Sequence, residues 1–195
     1  MDMKGIKLAV CAAAFVSGAV SPAWAAENAA GKIHFTGQII TPSCEIKGDT
    51  GHDSTVPLGT YPTTLFTKTG DESPLIPFSI KLTGCPATSE GLSAVQLTFN
   101  GATALTGSTT LLDVSSISTL PGTTAATGVG VAVSPIDDSE TYIAFDGSED
   151  QVWVRLAIES TTDISADFNA RYKSFSNTVT AGPADADLTV NILYR

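Results

Sequence analysis

The chain has 195 residues and a formal net charge of −10, with 10 Lys+Arg against 20 Asp+Glu. That balance argues against nucleic acid and anionic lipid surfaces as partners, because both are polyanions. The length suits one domain with an appended arm rather than several domains.

Lys4 and Lys7 precede an apolar run from Leu8 to Val20, and Ser21-Pro22-Ala23-Trp24-Ala25 follows with small residues where a signal peptidase reads. This is the pattern of a secretory leader, with cleavage expected after Ala25. The apolar run is too short to span a bilayer, and no later segment approaches the roughly 20 apolar residues a helix needs to do so. The mature chain is expected outside the cytoplasm, with no membrane insertion. Losing Lys4, Lys7 and Asp2 with the leader makes the net charge one unit more negative.

Cys11 leaves with the leader, so Cys44 and Cys85 remain, 41 positions apart. An even pair in an exported chain reads as an intrachain disulfide. The rival reading, a metal site, lacks support because neither His34 nor His52 lies at ligand spacing from either cysteine.

Apolar residues then recur at period two, the spacing of strands with one buried face. Ile33, Phe35, Gly37 and Ile39 alternate with Lys32, His34, Thr36 and Gln38. Phe78, Ile80 and Leu82 repeat the pattern, as do Val95, Leu97 and Phe99, and then Val129, Val131 and Val133. Val152, Val154, Leu156 and Ile158 face one way, with Trp153 and Arg155 facing the other, and Phe168, Ala170 and Tyr172 form a further set. Asn100-Gly101 and Asp146-Gly147 are hairpin-type dipeptides, and residues 61–75 and 103–127 read as loops. Several short alternating strands with no helical stripe predict an all-β sandwich.

The last strand alternates most regularly. Ala184, Ala186, Leu188, Val190, Ile192 and Tyr194 make an apolar face graded from small to large, opposite Asp185, Asp187, Thr189 and Asn191. Gly182-Pro183 sets its start. The first alternating strand lies before Cys44, ahead of the stapled body, and Gly37 interrupts its apolar face. Glycine inside a strand weakens it and often marks close approach of another backbone.

The ordered combination of these features resembles the type 1 pilin family of the chaperone–usher route. The likeness is carried by the arm Gly31-Lys32-Ile33-His34-Phe35-Thr36-Gly37-Gln38-Ile39-Ile40 before a cysteine, and by Phe78-Ser79-Ile80-Lys81-Leu82-Thr83-Gly84-Cys85-Pro86 around the second. It continues in Phe168-Asn169-Ala170-Arg171-Tyr172, in Gly182 at the fourteenth position from the end, and in the penultimate Tyr194. The resemblance implies an incomplete immunoglobulin-like β-sandwich that lacks its last strand, a structural subunit of a bacterial surface fimbrium. It implies a leader over residues 1–25, a donor-strand extension over 26–41 and a pilin domain over 42–195. Ile33, Phe35, Gly37 and Ile39 would be the donor face, with Gly37 passing a spot too crowded for a side chain. Gly182, Ala184, Ala186, Leu188, Val190, Ile192 and Tyr194 would line the acceptor groove. The implied partners are neighbouring pilin subunits in a head-to-tail polymer, a periplasmic chaperone and an outer-membrane usher. A tip or minor adhesive, carbohydrate-binding subunit is the alternative.

Enzyme chemistry finds no footing in the sequence. Two histidines without partners suggest no general base, and there is no nucleophile elbow, phosphate-cradling loop or zinc spacing. The acidic pairs Asp71-Glu72, Asp137-Asp138 and Glu149-Asp150 lie in turns without the alternating oxygen spacing of a calcium loop. No cofactor is expected. Trp153 and Tyr142 are aromatics of a kind that stacks on sugars, although single aromatics on strands more often serve packing.

Overall fold

A computed structural model describes residues 33–37, 39, 41, 43–88, 91–114, 124–159 and 162–194. The expected leader lies outside the described residues, as do Lys32, Gln38 and Ile40. The chain divides into two units, Met1–Gly37 and Gln38–Arg195. Within the first unit, the described residues 33–37 form no regular element.

Among its described residues the second unit is a two-sheet sandwich of eight strands: β1 (Glu45–Ile46), β2 (Ile76–Thr83), β3 (Ala94–Gly101), β4 (Leu112–Asp113), β5 (Val129–Pro135), β6 (Val152–Arg155), β7 (Ile164–Ser174) and β8 (Leu188–Tyr194). One sheet has the order β1-β2-β7-β5-β4 and the other β6-β3-β8, every pairing antiparallel. A 3₁₀ turn, Thr63–Leu65, interrupts the long connection before β2. The architecture is the all-β sandwich that the alternation predicts, of the immunoglobulin-like kind that the resemblance implies.

The alternating sets supply the core. Leu82 of β2 and Val95, Leu97 and Phe99 of β3 are fully buried, and Val129, Val133, Val154 and Phe168 are almost so. Phe168 joins the sheets through its ring contacts, stacked on Phe78 at 5.5 Å and edge-on to Phe99 at 5.8 Å. Such pairs add to the burial term by aligning ring edges with ring faces. The expected disulfide is present, joining Cys44 just before β1 to Cys85 just after β2.

Four local expectations are corrected. Asn100-Gly101 and Asp146-Gly147 close no hairpins; they bridge each other, with Asn100 opposite Asp146 and the Gly147 N–H donating to Phe99 O at 2.9 Å. Asn100-Gly101 is the extended end of β3, paired with Thr189 and Leu188 of β8, and only Gly147 takes the left-handed turn conformation, at φ 82°. Residues 103–127 are not loop throughout, because Leu112–Asp113 pairs with β5 and buries Leu112. The β6 pattern does not reach Ile158: the strand ends at Arg155, the Ala157 carbonyl turns to accept the Thr88 N–H, and Ile158 is left 82% exposed. The final strand enters its ladder at Leu188 rather than Ala184, although partial burial still alternates from Ala184 onward.

Candidate functional site: the open edge at β8

Strand β8 is built from the most regular alternation in the chain, and it takes an edge position. Among the described residues it pairs only with β3, from Gly101↔Leu188 to Val95↔Tyr194. Seven residues therefore present one set of backbone donors and acceptors away from the sheet. Long flat edges of this kind template strand addition unless something blocks them.

The inner face of β8 is only half-covered. Ala184, Ala186, Leu188, Val190, Ile192 and Tyr194 all pack on the core yet stay partly exposed, while Val95, Leu97 and Phe99 on the neighbouring strand are sealed. Ile46, Tyr61, Phe78 and Tyr172 are likewise only partly buried against the core. The alternating face expected to line a groove is thus an apolar strip along an open edge, with Thr189 and Asn191 on the exposed side.

Both ends of the strip are pinned by tyrosine hydroxyls. The Cys44 N–H donates to the Tyr194 hydroxyl at 2.7 Å, tying the end of β8 to the disulfide and to β1, the edge of the other sheet. At the start, the Tyr172 hydroxyl donates to Ala184 O at 3.0 Å. Burial, then the negative charge of Asp185 and the neighbouring Tyr61, pushes the Tyr172 hydroxyl above its ordinary titration range, so it stays a donor.

Gly182 does not lie in the strip. It is exposed, and a Cβ there would stand 2.3 Å from Thr124 O and 2.6 Å from Ala126 N. Only glycine lets the 124–126 backbone cross so closely. Around that crossing the Ala126 N–H donates to Pro183 O at 2.8 Å and the Thr180 N–H to Thr127 O at 3.1 Å. Gly182 thereby allows a neighbouring segment to pair with the lead-in to β8.

Ile33, Phe35 and Ile39 are 82%, 88% and 101% exposed, and a Cβ at Gly37 would meet nothing within 4 Å.

Sequence reasoning missed a polar cluster on the other sheet. Glu72 Oε1 accepts from the Tyr142 hydroxyl and from Lys173 Nζ, both at 2.5 Å, and Glu72 Oε2 meets Arg171 Nη1 at 3.0 Å. The Tyr142 ring lies under both cations, 4.9 Å from Arg171 and 4.7 Å from Lys173. Tyr142 is thus occupied within the fold, which removes it as a sugar platform. Among the described residues no group of three metal-ligating side chains converges.

The profile of the family described as "Fimbrial protein" matches residues 33–195. This chain belongs to the fimbrial protein family. It is 37% identical to the type-1 fimbrial protein subunit of Serratia marcescens over 94% of this chain and 96% of that one. It is 33% identical to the probable major fimbrial subunit LpfA of Escherichia coli O157:H7, covering 99% of this chain and 98% of the relative. In fold it is similar to the P pilus rod subunit PapA, with a TM-score of 0.59 at 22% identity over 78% of this chain and 99% of that structure. This fimbrial protein is therefore a structural subunit of a surface fimbrium, a chaperone–usher pilin in fold, and it associates with other subunits of its kind.

Proposed function

We propose that this fimbrial protein polymerises by donor-strand exchange, the arm of one copy completing the sandwich of the next. The observation that carries this reading is β8: seven paired residues with one open edge and a half-covered apolar face. Laying an extended segment along a sheet edge is a general recognition mode, in which backbone bonds supply affinity and alternating pockets supply specificity; donor-strand complementation of pilins is one of its standard examples.

The arm has the matching pattern. Ile33, Phe35 and Ile39 would descend onto the strip, and Gly37 would pass the point where the strip stands too high for a side chain. Burying three large apolar side chains contributes roughly 5–9 kcal/mol as an upper bound, before ordering costs. Because donor and acceptor are different surfaces, the contact repeats head-to-tail and yields an open fibre. A periplasmic chaperone would cover the β8 edge until an outer-membrane usher exchanges it for an arm. The role is structural, with no catalysis assigned.

The test is a mature chain lacking residues 26–40. It should still bind chaperone and accept a donor peptide, yet fail to donate to a neighbour, so fibres stop at the first truncated subunit. Fibres as long as those of the full chain would overturn the donor assignment.

A further inference from the structure

We propose that Gln151 bars the β6 edge to strand addition, so that each subunit accepts a neighbour's strand at β8 alone and the fibre grows without branching. The inference rests on the strand-exchange reading for which strand is excluded; the bar itself is made of bonds within the subunit. The three-stranded sheet has two edges, β8 and β6. Among the described residues β6 pairs only with β3, so it too presents backbone groups away from the sheet. Such an edge invites pairing unless it is blunted. Linear head-to-tail growth needs one acceptor per subunit, so a second open edge has to be closed.

The chain just before β6 supplies the closure. Asn100 pairs with Thr189 of β8 on one side and bridges Asp146 on the other, which puts Asp146 on the side of β3 that β6 covers. Val152 then pairs with Leu97, so residues 147–151 outnumber the residues opposite them and bulge from the edge. Gly147 at φ 82° and Asp150 at φ 63° take left-handed backbone, and Asp150 is the one non-glycine to do so among the described residues. That conformation is costly for a side-chain-bearing residue and persists where its surroundings hold it. Here Asp150 Oδ1 accepts from Nε2 of the fully buried Gln96 at 3.2 Å.

Gln151 folds the bulge back onto the backbone. The Ala144 N–H donates to Gln151 Oε1 at 2.6 Å, and Gln151 Nε2 donates to Ala144 O at 3.1 Å and to Ser148 O at 2.9 Å. One side-chain amide thus makes with Ala144 the two-bond exchange that opposed residues make in an antiparallel ladder. Both backbone groups of Ala144 are taken within the subunit, and beyond the bulge only the four residues of β6 remain. β8 offers seven without interruption. The donor positions from Ile33 to Ile39 span as many residues as β8 and overrun β6.

Assembled fibres test the bar, because on the strand-exchange reading β8 is already filled along their length. Wild-type fibres given a fluorescent peptide of residues 26–40 should take up label only at free acceptor ends, so that shearing raises uptake. Gln151→Ala fibres should take up label along their length, in proportion to subunits, and should associate side by side in sedimentation. Amide exchange at Ala144 should quicken about tenfold in that variant, the loss of one hydrogen bond, and slow again when peptide is added. That recovery separates an opened edge from a loosened fold. Gln151→Glu keeps an acceptor for the Ala144 N–H but donates nothing to Ala144 O or Ser148 O, so it too should admit label, and it serves if the alanine variant does not assemble. End labelling of wild type reads strand exchange; side-by-side association of the variants needs no peptide and reads the bar, so either can fail alone. The bar is overturned if wild-type fibres take up label along their length, if neither variant labels lengthwise or associates, or if Ala144 stays fast with peptide present.

Discussion

The backbone N–H of Cys44 donates to the side-chain hydroxyl of Tyr194 at 2.7 Å, across 150 positions of sequence. One bond thus joins the last turn of the open edge to the disulfide that staples the first strand. Tyr194→Phe keeps the ring on the core and removes only the acceptor, leaving a part-buried N–H without that partner. The expected cost is about 1 kcal/mol. Denaturant unfolding of the peptide-complemented subunit measures it, and a midpoint equal to wild type would show that water replaces the bond at no cost.

Gly182→Ala places a methyl 2.3 Å from Thr124 O, so the crossing segment must move. Forced overpacking of this kind costs roughly 1–3 kcal/mol. Amide exchange should quicken at Ala126 and Thr180, whose N–H groups bond across the crossing. Unchanged protection at both amides would contradict the close-approach account.

Glu72 links stability to acid. Its burial raises its pKa, but hydrogen bonds from Lys173 and Tyr142 and the Arg171 charge outweigh that, and the net shift is downward. A depressed carboxylate stabilises the fold above its ordinary titration range, and that contribution disappears as pH falls through the lowered value. Lys173 is shifted upward: burial opposes the shift, but the Glu72 bond and charge overcome it, so its contribution is lost only at strongly alkaline pH. Glu72→Gln should cost about 3 kcal/mol at neutral pH, because the Arg171 side chain is 4% exposed and would lose its counter-charge. The variant should also show a shallower loss of stability below pH 5, measured by unfolding midpoints across acid pH.

Replacing Cys44 and Cys85 together by alanine removes a cross-link between residues 41 positions apart. On the chain-entropy account the loss is about 4 kcal/mol. Unfolding midpoints of the chaperone-bound or peptide-complemented subunit should fall accordingly, with the cysteine-free form more easily proteolysed.

Gly37→Arg should leave the subunit's own unfolding midpoint unchanged, because nothing lies within 4 Å of a Cβ there in the free arm. On the strand-exchange reading the same change should block donation, since the arginine would have to enter the strip beside β8. SDS-resistant ladders that dissociate on boiling provide the readout, and ladders of normal length would count against a tight fit at this position.

Local pattern carried much of the architecture. Alternation alone located the interiors of β2, β3, β5 and β7, and the exported context paired Cys44 with Cys85. It failed where one residue's role depends on a distant backbone. Asn100-Gly101 has the chemistry of a hairpin but meets Asp146 instead. Ile158 has the right phase for the core but lies beyond the point where Ala157 turns away to Thr88.

The sequence by itself determined the all-β class, the pairing of Cys44 with Cys85 and a period-two alternation both ahead of Cys44 and at the end of the chain, because side-chain period and cysteine spacing are properties of the chain read locally. Only the tertiary structure decided that β8 lies at an edge with its apolar face half-covered, that Gly182 admits a crossing backbone, and that Glu72, Tyr142, Arg171 and Lys173 share one cluster. Those facts depend on which segments meet after folding, and residues 70 to 101 positions apart leave no periodic trace of meeting.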